Sequence, residues 1–497
     1  MDSTPVTCAV GDLGSNTFHL MIATVSGPRI NIIDRIREPV RLAAGFDEYG
    51  ALNEEAQERA FRCMELFGQR LKGFPPEHVL MVGTNALRKA VNSREFIENA
   101  SSILGYEIEV VSGYEEARLV FAGIARNIEP DNRKRLIIDI GGGSTEFAIG
   151  RRFEPFLVES IDVGCLSTKV NCFADGKVTE RRMHDAIIAA GLKLQPILSR
   201  LKGCGWSSAF GSSGSVKSIA QVVYANGWCD EGISYESLKI LKAQLIRDGV
   251  FKAEFFPDIS SDRADVFPGG VAVLFAIMKN LDIDHVYISD GGIREGMLLD
   301  LSGRIDHKDV RDTSVSVFAN SYGVDRDQAD RVFAKAEFLY RNVKDNWGLD
   351  EQICHDLLRW SADVHEVGLS ISHGRYHKHS AYLVRHSNLA GFSREIQMLL
   401  GFIVRCHRKS FSEKSHEKLP LDFRDRAVRL CVILRLAVIL CRSRNDVDKG
   451  KLKVESGENR IKICFPGGWL QDNPLTEADL LLEVDYLQQI GWQLIFE

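Results

Sequence analysis

The chain has no C-x-x-C pair, no low-complexity tract and no excess of positive charge, and each absence removes a class of function. Its eleven cysteines are scattered over 497 residues, the closest two being Cys165 and Cys172. An odd count without a spacing pattern reads as reduced, cytosolic cysteine, mostly buried. The formal net charge of -6 argues against a duplex nucleic-acid binder and leaves room only for a local basic groove. No sequence-specific nucleic-acid partner is expected. Met1-Asp2-Ser3 opens the chain without a basic stretch or an apolar core, so no signal peptide is expected. The best candidate for a membrane span, Ala427 to Cys441, is short and carries Arg429 and Arg435. It reads as a buried amphipathic helix. A cytoplasmic protein without an integral membrane segment is expected, with peripheral membrane association as the alternative.

What is present is an ordinary globular composition, 45% hydrophobic and 26% charged, on a chain too long for one core. Two short loops dominate it. Asp12-Leu13-Gly14-Ser15-Asn16-Thr17 follows the apolar run Val6 to Val10 and leads into a second strand, Phe18 to Val25. Asp139-Ile140-Gly141-Gly142-Gly143-Ser144-Thr145-Glu146 follows Leu136-Ile137-Ile138 and leads into Phe147 to Ile149. Glycine lets backbone approach a ligand closely, and successive amides cradle phosphate oxygens. Acidic residues beside such a cradle usually hold a divalent metal. The pair suggests a cleft that grips a phosphate chain from both sides.

The pattern around the loops repeats. Strands are expected at Val6–Val10, Phe18–Val25, Ile30–Ile36, Val79–Val82 and Ile108–Val111, with helices at Glu54–Lys72, Ser93–Ile103 and Glu115–Ile124. A polar linker runs through Asn127-Ile128-Glu129-Pro130-Asp131-Asn132. Then Asp12-x-Gly14 recurs as Asp139-x-Gly141, followed by strands near Phe156–Ser160, Trp206–Phe210 and His285–Ile288. Helices are expected there at Glu180–Leu201, Val216–Tyr224, Tyr235–Asp248 and Gly270–Asn280. After about Gly303 the texture becomes helical, over Val315–Trp347, Gln352–Val367 and Phe392–Lys409. Strands resume at Leu452–Ser456 and Ile461–Phe465, with Pro466-Gly467-Gly468 as a turn and Leu480–Leu482 beyond it. The expected domains are two facing α/β units, 1–125 and 126–304, a helical domain, 305–415, and a small α+β module, 416–497.

Several residues could carry chemistry. Asp12 could orient water or a metal through water, and Gly14, Ser15, Asn16 and Thr17 could donate to a terminal phosphate; a tight hairpin turn is the structural alternative. Asp139 and Glu146 flank three glycines and could share a Mg²⁺ ion, with Ser144 and Thr145 adding hydroxyls. In Ser112-Gly113-Tyr114-Glu115-Glu116, Ser112 and Glu115 have capping-box spacing. Glu116 is the surplus acid, placed to take a proton from water or simply to sit on a helix surface. Arg88 lies just past a strand end and matches phosphate geometry, a solvated helix arginine being the bland reading. Arg35, Arg37 and Arg41 could line an anion path. Gly211-Ser212-Ser213-Gly214-Ser215 and Asp290-Gly291-Gly292-Ile293-Arg294-Glu295-Gly296 are two further strand-to-helix loops at the ligand-binding edge of an open α/β sheet. The histidines at 365, 373, 377, 379, 386 and 407 admit a metal cluster, but histidines satisfied by neighbours or solvent are the plainer reading.

On these motifs the chain resembles the exopolyphosphatase and guanosine pentaphosphate phosphatase enzymes of bacteria, over nearly its whole length. Arg41-Leu42-Ala43-Ala44-Gly45, Ser112 to Arg118 and Gly291 to Gly296 fit the same pattern as the two loops. The resemblance implies duplicated ribonuclease H-like lobes of the actin, hexokinase and Hsp70 kind. It also implies a helical HD-like domain. It implies Glu116 as general base, Asp139 and Glu146 as metal- and water-positioning acids with Glu116 beside the metal, and Arg88 as a phosphate contact. Gly141, Gly142, Gly143 and Ser144 would bind phosphate, and Ser213, Gly214 and Ser215 would lie near the cleft. Mg²⁺, often with K⁺, and a homodimer are implied as well. The HD-like part departs from metal-dependent HD enzymes: His365-Glu366 stands where they have His-Asp, and no histidine occurs around Asp330-Arg331-Val332. No metal is expected in that domain.

Polyphosphate and guanosine 5′-triphosphate 3′-diphosphate (pppGpp) both offer a terminal phosphoanhydride. The stretches Phe153 to Ser160, His307 to Arg311 and His377 to Leu383 look more like the long exopolyphosphatases, and Arg405-Cys406-His407-Arg408-Lys409 adds basic charge. The expectation is therefore processive release of orthophosphate from polyphosphate, with Lys378, Arg405, Arg408 and Lys409 holding the chain. Hydrolysis of pppGpp, alone or alongside, is the alternative. An actin-like ATPase or sugar kinase would have to hold adenine, and a non-catalytic nucleotide sensor would not need the intact acidic set.

Overall fold

The computed structural model describes all residues except 1–4, 27–28, 129–130, 252, 257–258, 306–307, 412–415, 418 and 445–451. Met1, Asp2, Ser3, Glu129, Pro130 and His307 thus lie outside the described residues. The chain forms two compact units, Met1–Asp309 and Val310–Glu497.

The first unit contains two sheets. In the first lobe, β1 (Val6–Leu13), β2 (Phe18–Ser26), β3 (Arg29–Glu38), β4 (Val79–Gly83) and β5 (Ile108–Val110) lie in the order β3-β2-β1-β4-β5. Strands β1 and β2 form an antiparallel hairpin, while β4 and β5 join in parallel. Helices α1 (Glu54–Leu71), α2 (Asn85–Lys89), α3 (Ser93–Leu104) and α4 (Gly113–Ala125) follow the strands. Helix α1 starts at Asn53, whose side chain accepts from the Ala56 amide at 2.9 Å, and buries Ala56, Ala60, Met64, Phe67 and Leu71 on one stripe.

The second lobe repeats the plan. Strands β6 (Arg135–Ile140), β7 (Thr145–Arg151), β8 (Glu154–Ile161), β9 (Ser208–Gly211), β10 (Ile233–Ser234) and β11 (His285–Ile288) lie in the order β10-β11-β9-β6-β7-β8. Again the first three form antiparallel hairpins, and β9 and β11 add in parallel. The helices are α5 (Cys165–Cys172), α6 (Glu180–Cys204), α7 (Gly214–Ala225), α8 (Tyr235–Asp248), α9 (Ser261–Leu281) and α10 (Ile293–Ile305). Within α9, Arg263–Leu281 is the one described helix long and apolar enough to cross a membrane, and 78% of that window is buried inside the protein, as expected of a core helix.

The lobes exchange their last helices. From α4, Ala117, Val120, Phe121, Ile124 and Ala125 pack on Ile137, Ala148 and Val158 of the second sheet. From α10, Met297, Leu298 and Leu301 pack on Cys8, Val10, Met21 and Val82 of the first sheet. The two helices cross backbone to backbone. A Cβ on Gly123 would stand 2.0 Å from the Gly292 carbonyl oxygen, and one on Gly296 2.0 Å from that of Leu119. Only glycine permits that approach.

The second unit has a single hydrophobic core running from Val315 to Leu494, through both stretches that the sequence separates near residue 415. Its elements are α11 (Val310–Ser321), α12 (Arg326–Trp347), α13 (Gln352–Val364), α14 (Tyr376–His386), α15 (Arg394–Cys406), α16 (Arg424–Leu440), β12 (Lys453–Gly457), β13 (Arg460–Cys464), α17 (Trp469–Asp472), α18 (Pro474–Gln488) and β14 (Gln493–Phe496). The apolar run from Ala427 lies in α16, where fully buried Arg435 forms a bidentate pair with Glu483. Two local expectations change. The helix expected over Val315–Trp347 is broken at Gly323, whose positive φ of 66° ends α11. Leu480–Leu482 belongs to α18 and not to a strand, because Leu480, Glu483 and Leu487 recur on a helical stripe and are buried together. The third strand of that sheet is β14, parallel to β13.

Gly296→Ala should lower the melting temperature, because its methyl must force α4 and α10 apart, at a cost of about 1–3 kcal/mol. Gly203→Ala is the control: this exposed helical glycine has nothing within 4 Å of its Cβ position. It should be neutral or stabilising by up to about 1 kcal/mol. Thermal denaturation of the two variants against wild type checks the crossing. Equal melting temperatures would contradict it.

Candidate active site

Both glycine-hydroxyl loops are hairpin turns, and the fold brings them face to face. The first, between β1 and β2, is braced from behind: the Asn16 carbonyl accepts from the Arg41 amide at 2.8 Å and the Ser15 carbonyl from Ala43 at 2.9 Å. This is the work of the Arg41-Leu42-Ala43-Ala44-Gly45 stretch. The second, between β6 and β7, is tied to the start of α5. The Gly141 carbonyl accepts from Cys165 at 2.9 Å, and that of Gly142 from Leu166 at 2.9 Å and Ser167 at 3.0 Å. A Cβ on Gly143 would fall 2.4 Å from the Asn85 Oδ1, and one on Gly142 3.3 Å from the Ser15 Cβ. Glycine is needed here because the second loop presses against the first loop and α2.

Four carboxylates converge behind the loops. Asp12 ends β1, Asp139 and Glu146 are cross-strand partners in β6 and β7, and Glu116 projects from the first turn of α4. That turn is capped by Ser112, whose hydroxyl accepts from the Glu115 amide at 3.1 Å. Glu116 Oε2 accepts from Arg88 Nη1 at 2.6 Å, and the same nitrogen donates to the Val111 carbonyl at 3.0 Å. Their side chains are 13% and 8% exposed. Ser160 donates to Glu146 Oε1 at 2.9 Å, and Ser212 to Asp139 Oδ1 at 3.0 Å.

Crowding acids in low dielectric disfavours their charged forms. Burial, with the charges of Glu116 and Asp139 behind it, raises the Asp12 carboxyl to about 7 although Arg294 opposes the shift. Burial raises Asp139 to about 6, against the Ser212 hydrogen bond. Burial, then Glu116 and Asp139, raise Glu146 well above the usual range. Burial works against the charge on Arg88, but Glu116 and Glu146 outweigh it and its pKa is raised. These are hard oxygen donors crowded into a buried site, which suits Mg²⁺. Among the described residues no group of three His, Cys, Asp or Glu is placed to hold a metal ion by itself.

The loops at Ser213 and Gly291 divide. Ser213 caps α7, its hydroxyl accepting from the Val216 amide at 3.3 Å, and Ser215 bonds Cys165. Gly214 is covered by the Arg263 guanidinium, 1.5 Å from its Cβ position. At the other loop Arg294 is the principal positive charge acting on Asp12, and its buried Nε lacks a hydrogen-bond partner among the described residues. Arg263 and Arg294 are the functional candidates that sequence reasoning did not single out. Arg263 sits at a helix start that reads as surface, while Arg294 stood inside a noted glycine loop, which was the available signal.

The histidines of the second unit divide between core and surface. His365, His377 and His407 are buried, and His365 and His407 bond the carbonyls of Ala362 and Val404 through Nδ1 at 2.8 and 2.7 Å. Glu366 pairs with Arg444 at 3.1 Å.

Paired hairpin loops on duplicated, helix-swapped sheets define the actin-like ATPase architecture. The chain belongs to the Ppx/GppA phosphatase family: residues 21–304 match that family, and residues 310–484 match its domain III. Among curated relatives, it is 35% identical over 496 residues to the guanosine-5'-triphosphate,3'-diphosphate pyrophosphatase of Vibrio vulnificus, covering 100% of this chain and 99% of the other. It is 32% identical to the same-named protein of Aeromonas hydrophila, covering 99% of each. Among solved structures, an exopolyphosphatase from Cytophaga hutchinsonii superposes with a TM-score of 0.55 at 23% identity, over 61% of this chain and 98% of that one. The Aquifex aeolicus family member superposes with a TM-score of 0.52 at 22% identity, over 61% and 99%. These two likenesses bear on the fold.

Asp139→Asn should stabilise the metal-free protein. A carboxyl whose pKa rises from 3.8 to about 6 on folding costs stability above pH 6, and that cost fades as the pH falls from 6 towards 3.8. Removing the charge should raise the melting temperature at pH 8 by a few degrees, from up to about 3 kcal/mol, with the gain disappearing near pH 4. Melting curves in chelator at both pH values check this. No gain at pH 8 would contradict the electrostatic description.

Proposed function

We propose that the chain hydrolyses the terminal phosphoanhydride at the 5′ end of pppGpp, releasing orthophosphate and leaving guanosine 3′,5′-bis(diphosphate). The observation that carries this reading is end-to-end relatedness, at 32–35% identity, to proteins bearing the pyrophosphatase name. It replaces the preference for polyphosphate. That preference rested on the likeness of three short stretches to long exopolyphosphatases and on the basic run from Arg405 to Lys409; in the first stretch Phe153 and Phe156 are exposed on the β7–β8 hairpin, and His307 lies outside the described residues.

In this reading the terminal phosphate enters between the loops. Amides and hydroxyls of Gly14, Ser15, Asn16, Thr17, Gly141, Gly142, Gly143 and Ser144 hold its oxygens, as backbone nests do. Arg88 takes one oxygen. Glu116 accepts a proton from water as that water's oxygen bonds to phosphorus, the anhydride P–O bond breaks, and the diphosphate end departs with the electron pair. Asp139 and Glu146 would hold Mg²⁺ together with substrate oxygens and water, since one or two carboxylates plus phosphate is its usual protein site. When bound, the ion supplies charge neutralisation for the phosphate chain, with K⁺ as a second cation beside it. A cytoplasmic setting agrees with eleven free cysteines. We include a homodimer in the proposal, with exposed Leu475, Leu481 and Leu482 of α18 as apolar surface for contact.

Polyphosphate remains the second reading because of one feature of the second unit. Arg405, Arg375 and Lys409 crowd Lys378 and lower its pKa, and burial with Arg405 and Arg408 lowers His377 to about 3. This excess of positive charge would attract a long polyanion, with strongly salt-dependent affinity.

Measured side by side, kcat/KM should be higher for pppGpp than for long-chain polyphosphate. The reverse order would restore the polyphosphate reading, and phosphoryl transfer to a sugar would remove both. Glu116→Gln should slow turnover of the better substrate by roughly 10²–10⁴-fold. Turnover near that of wild type would exclude Glu116 as the base.

A further inference from the structure

Glu116 stands beside a buried charge network that the reaction above does not use. Arg118 donates from Nε to Glu115 Oε2 at 2.8 Å and from Nη2 to Glu115 Oε1 at 2.7 Å, and Nη2 also reaches the Asp300 carboxylate on α10. Glu115 and Arg118 are 3% and 8% exposed. Burial opposes the charge on Arg118, but Glu115 and Asp300 more than offset it and its pKa is raised. Such a network is a poor source of net stability, since apolar residues of similar volume usually do as well. Its position says what else it does.

The crossing of α4 and α10 has an antiparallel register. Gly123 meets Gly292, Leu119 meets Gly296, and Arg118 meets Asp300. The glycine contacts fix the later turns of α4. The ion bridge extends the same register to the turn that carries Glu116. Residues 116 and 118 lie about 200° apart around the helix, so the bridge grips one side while Glu116 points from the other. Besides the bridge, the start of α4 is held by the Ser112 cap, the Arg88–Glu116 pair and the packing of Ala117 on the second sheet. A substrate phosphate that engages Arg88 competes for that second hold at the moment when Glu116 must keep its place.

We propose that Arg118 and Asp300 are positioning residues for Glu116: their bridge clamps the first turn of α4 to α10 and keeps the Glu116 carboxylate aimed at the attacking water. The inference rests on the reading of Glu116 as general base. Misplacing a reacting group by about 1 Å costs up to about 100-fold in rate. Asp300→Asn should therefore lower kcat on pppGpp roughly tenfold or more while KM stays within about twofold, measured well below the melting temperature of the variant. Arg118→Lys should move kcat in the same direction. The double-mutant cycle separates the explanations. In a Glu116→Gln background, Asp300→Asn should cost nothing further. An equal loss of kcat in both backgrounds, an effect confined to KM, or an unchanged kcat in folded Asp300→Asn protein would each overturn the proposal. Should Asp300→Asn not fold, Asp300→Glu keeps the charge, displaces the bridge by one methylene, and is subject to the same outcomes. Near-normal turnover by Glu116→Gln alone would mark the failure of the base assignment itself, separately from any effect at Asp300.

Discussion

Burial of the neighbouring acids Asp12, Asp139 and Glu146, with Glu116 beside them, is the constraint around which the first unit is arranged. Three of these carboxyls have pKa values raised by burial. No chain would keep them together for stability alone, so the surrounding structure must hold them. Two hairpins fix Asp12 and the Asp139–Glu146 pair in strand register. Serine hydroxyls from β8 and the β9–α7 loop satisfy individual oxygens. Helix α4 delivers the fourth acid, and that helix is locked in place by glycines that allow backbone contact with α10.

Much of this was legible in the sequence. The echo of Asp12-x-Gly14 in Asp139-x-Gly141 reports a duplicated hairpin, and the two sheets do share their strand plan. Arg88 and Glu116, distant in sequence, are brought within hydrogen-bond reach. The helix exchange was not legible. The apolar faces of α4 and α10 announce burial but carry no label for which sheet buries them. The Ser213 hydroxyl caps α7, a task the sequence did not separate from ligand contact, because the same residue type suits both. Arg263 and Arg294 were hidden for the opposite reason, since a lone arginine near a helix start resembles a solvated one. The triple leucine at 480–482 misled because a short apolar run has no decisive period of its own.

Substrate choice shows a different limit. Polyphosphate and pppGpp end in the same phosphoanhydride, so residues that act on that bond cannot tell them apart. Discrimination must come from contacts farther along the substrate. The basic cluster near Lys378 would attract either polyanion alike. Relatedness along the full length of the chain weighs more than such local charge, because it covers every contact at once.

In the proposed reaction the carboxylate-lined cleft directs water to the terminal phosphorus. Hydrolysis of pppGpp in ¹⁸O-labelled water, with mass analysis of both products, tests it most directly. Attack at the terminal phosphorus leaves one labelled oxygen in the released orthophosphate and none in the guanosine product. Label in the guanosine product would place the attack on the neighbouring phosphorus and contradict the account.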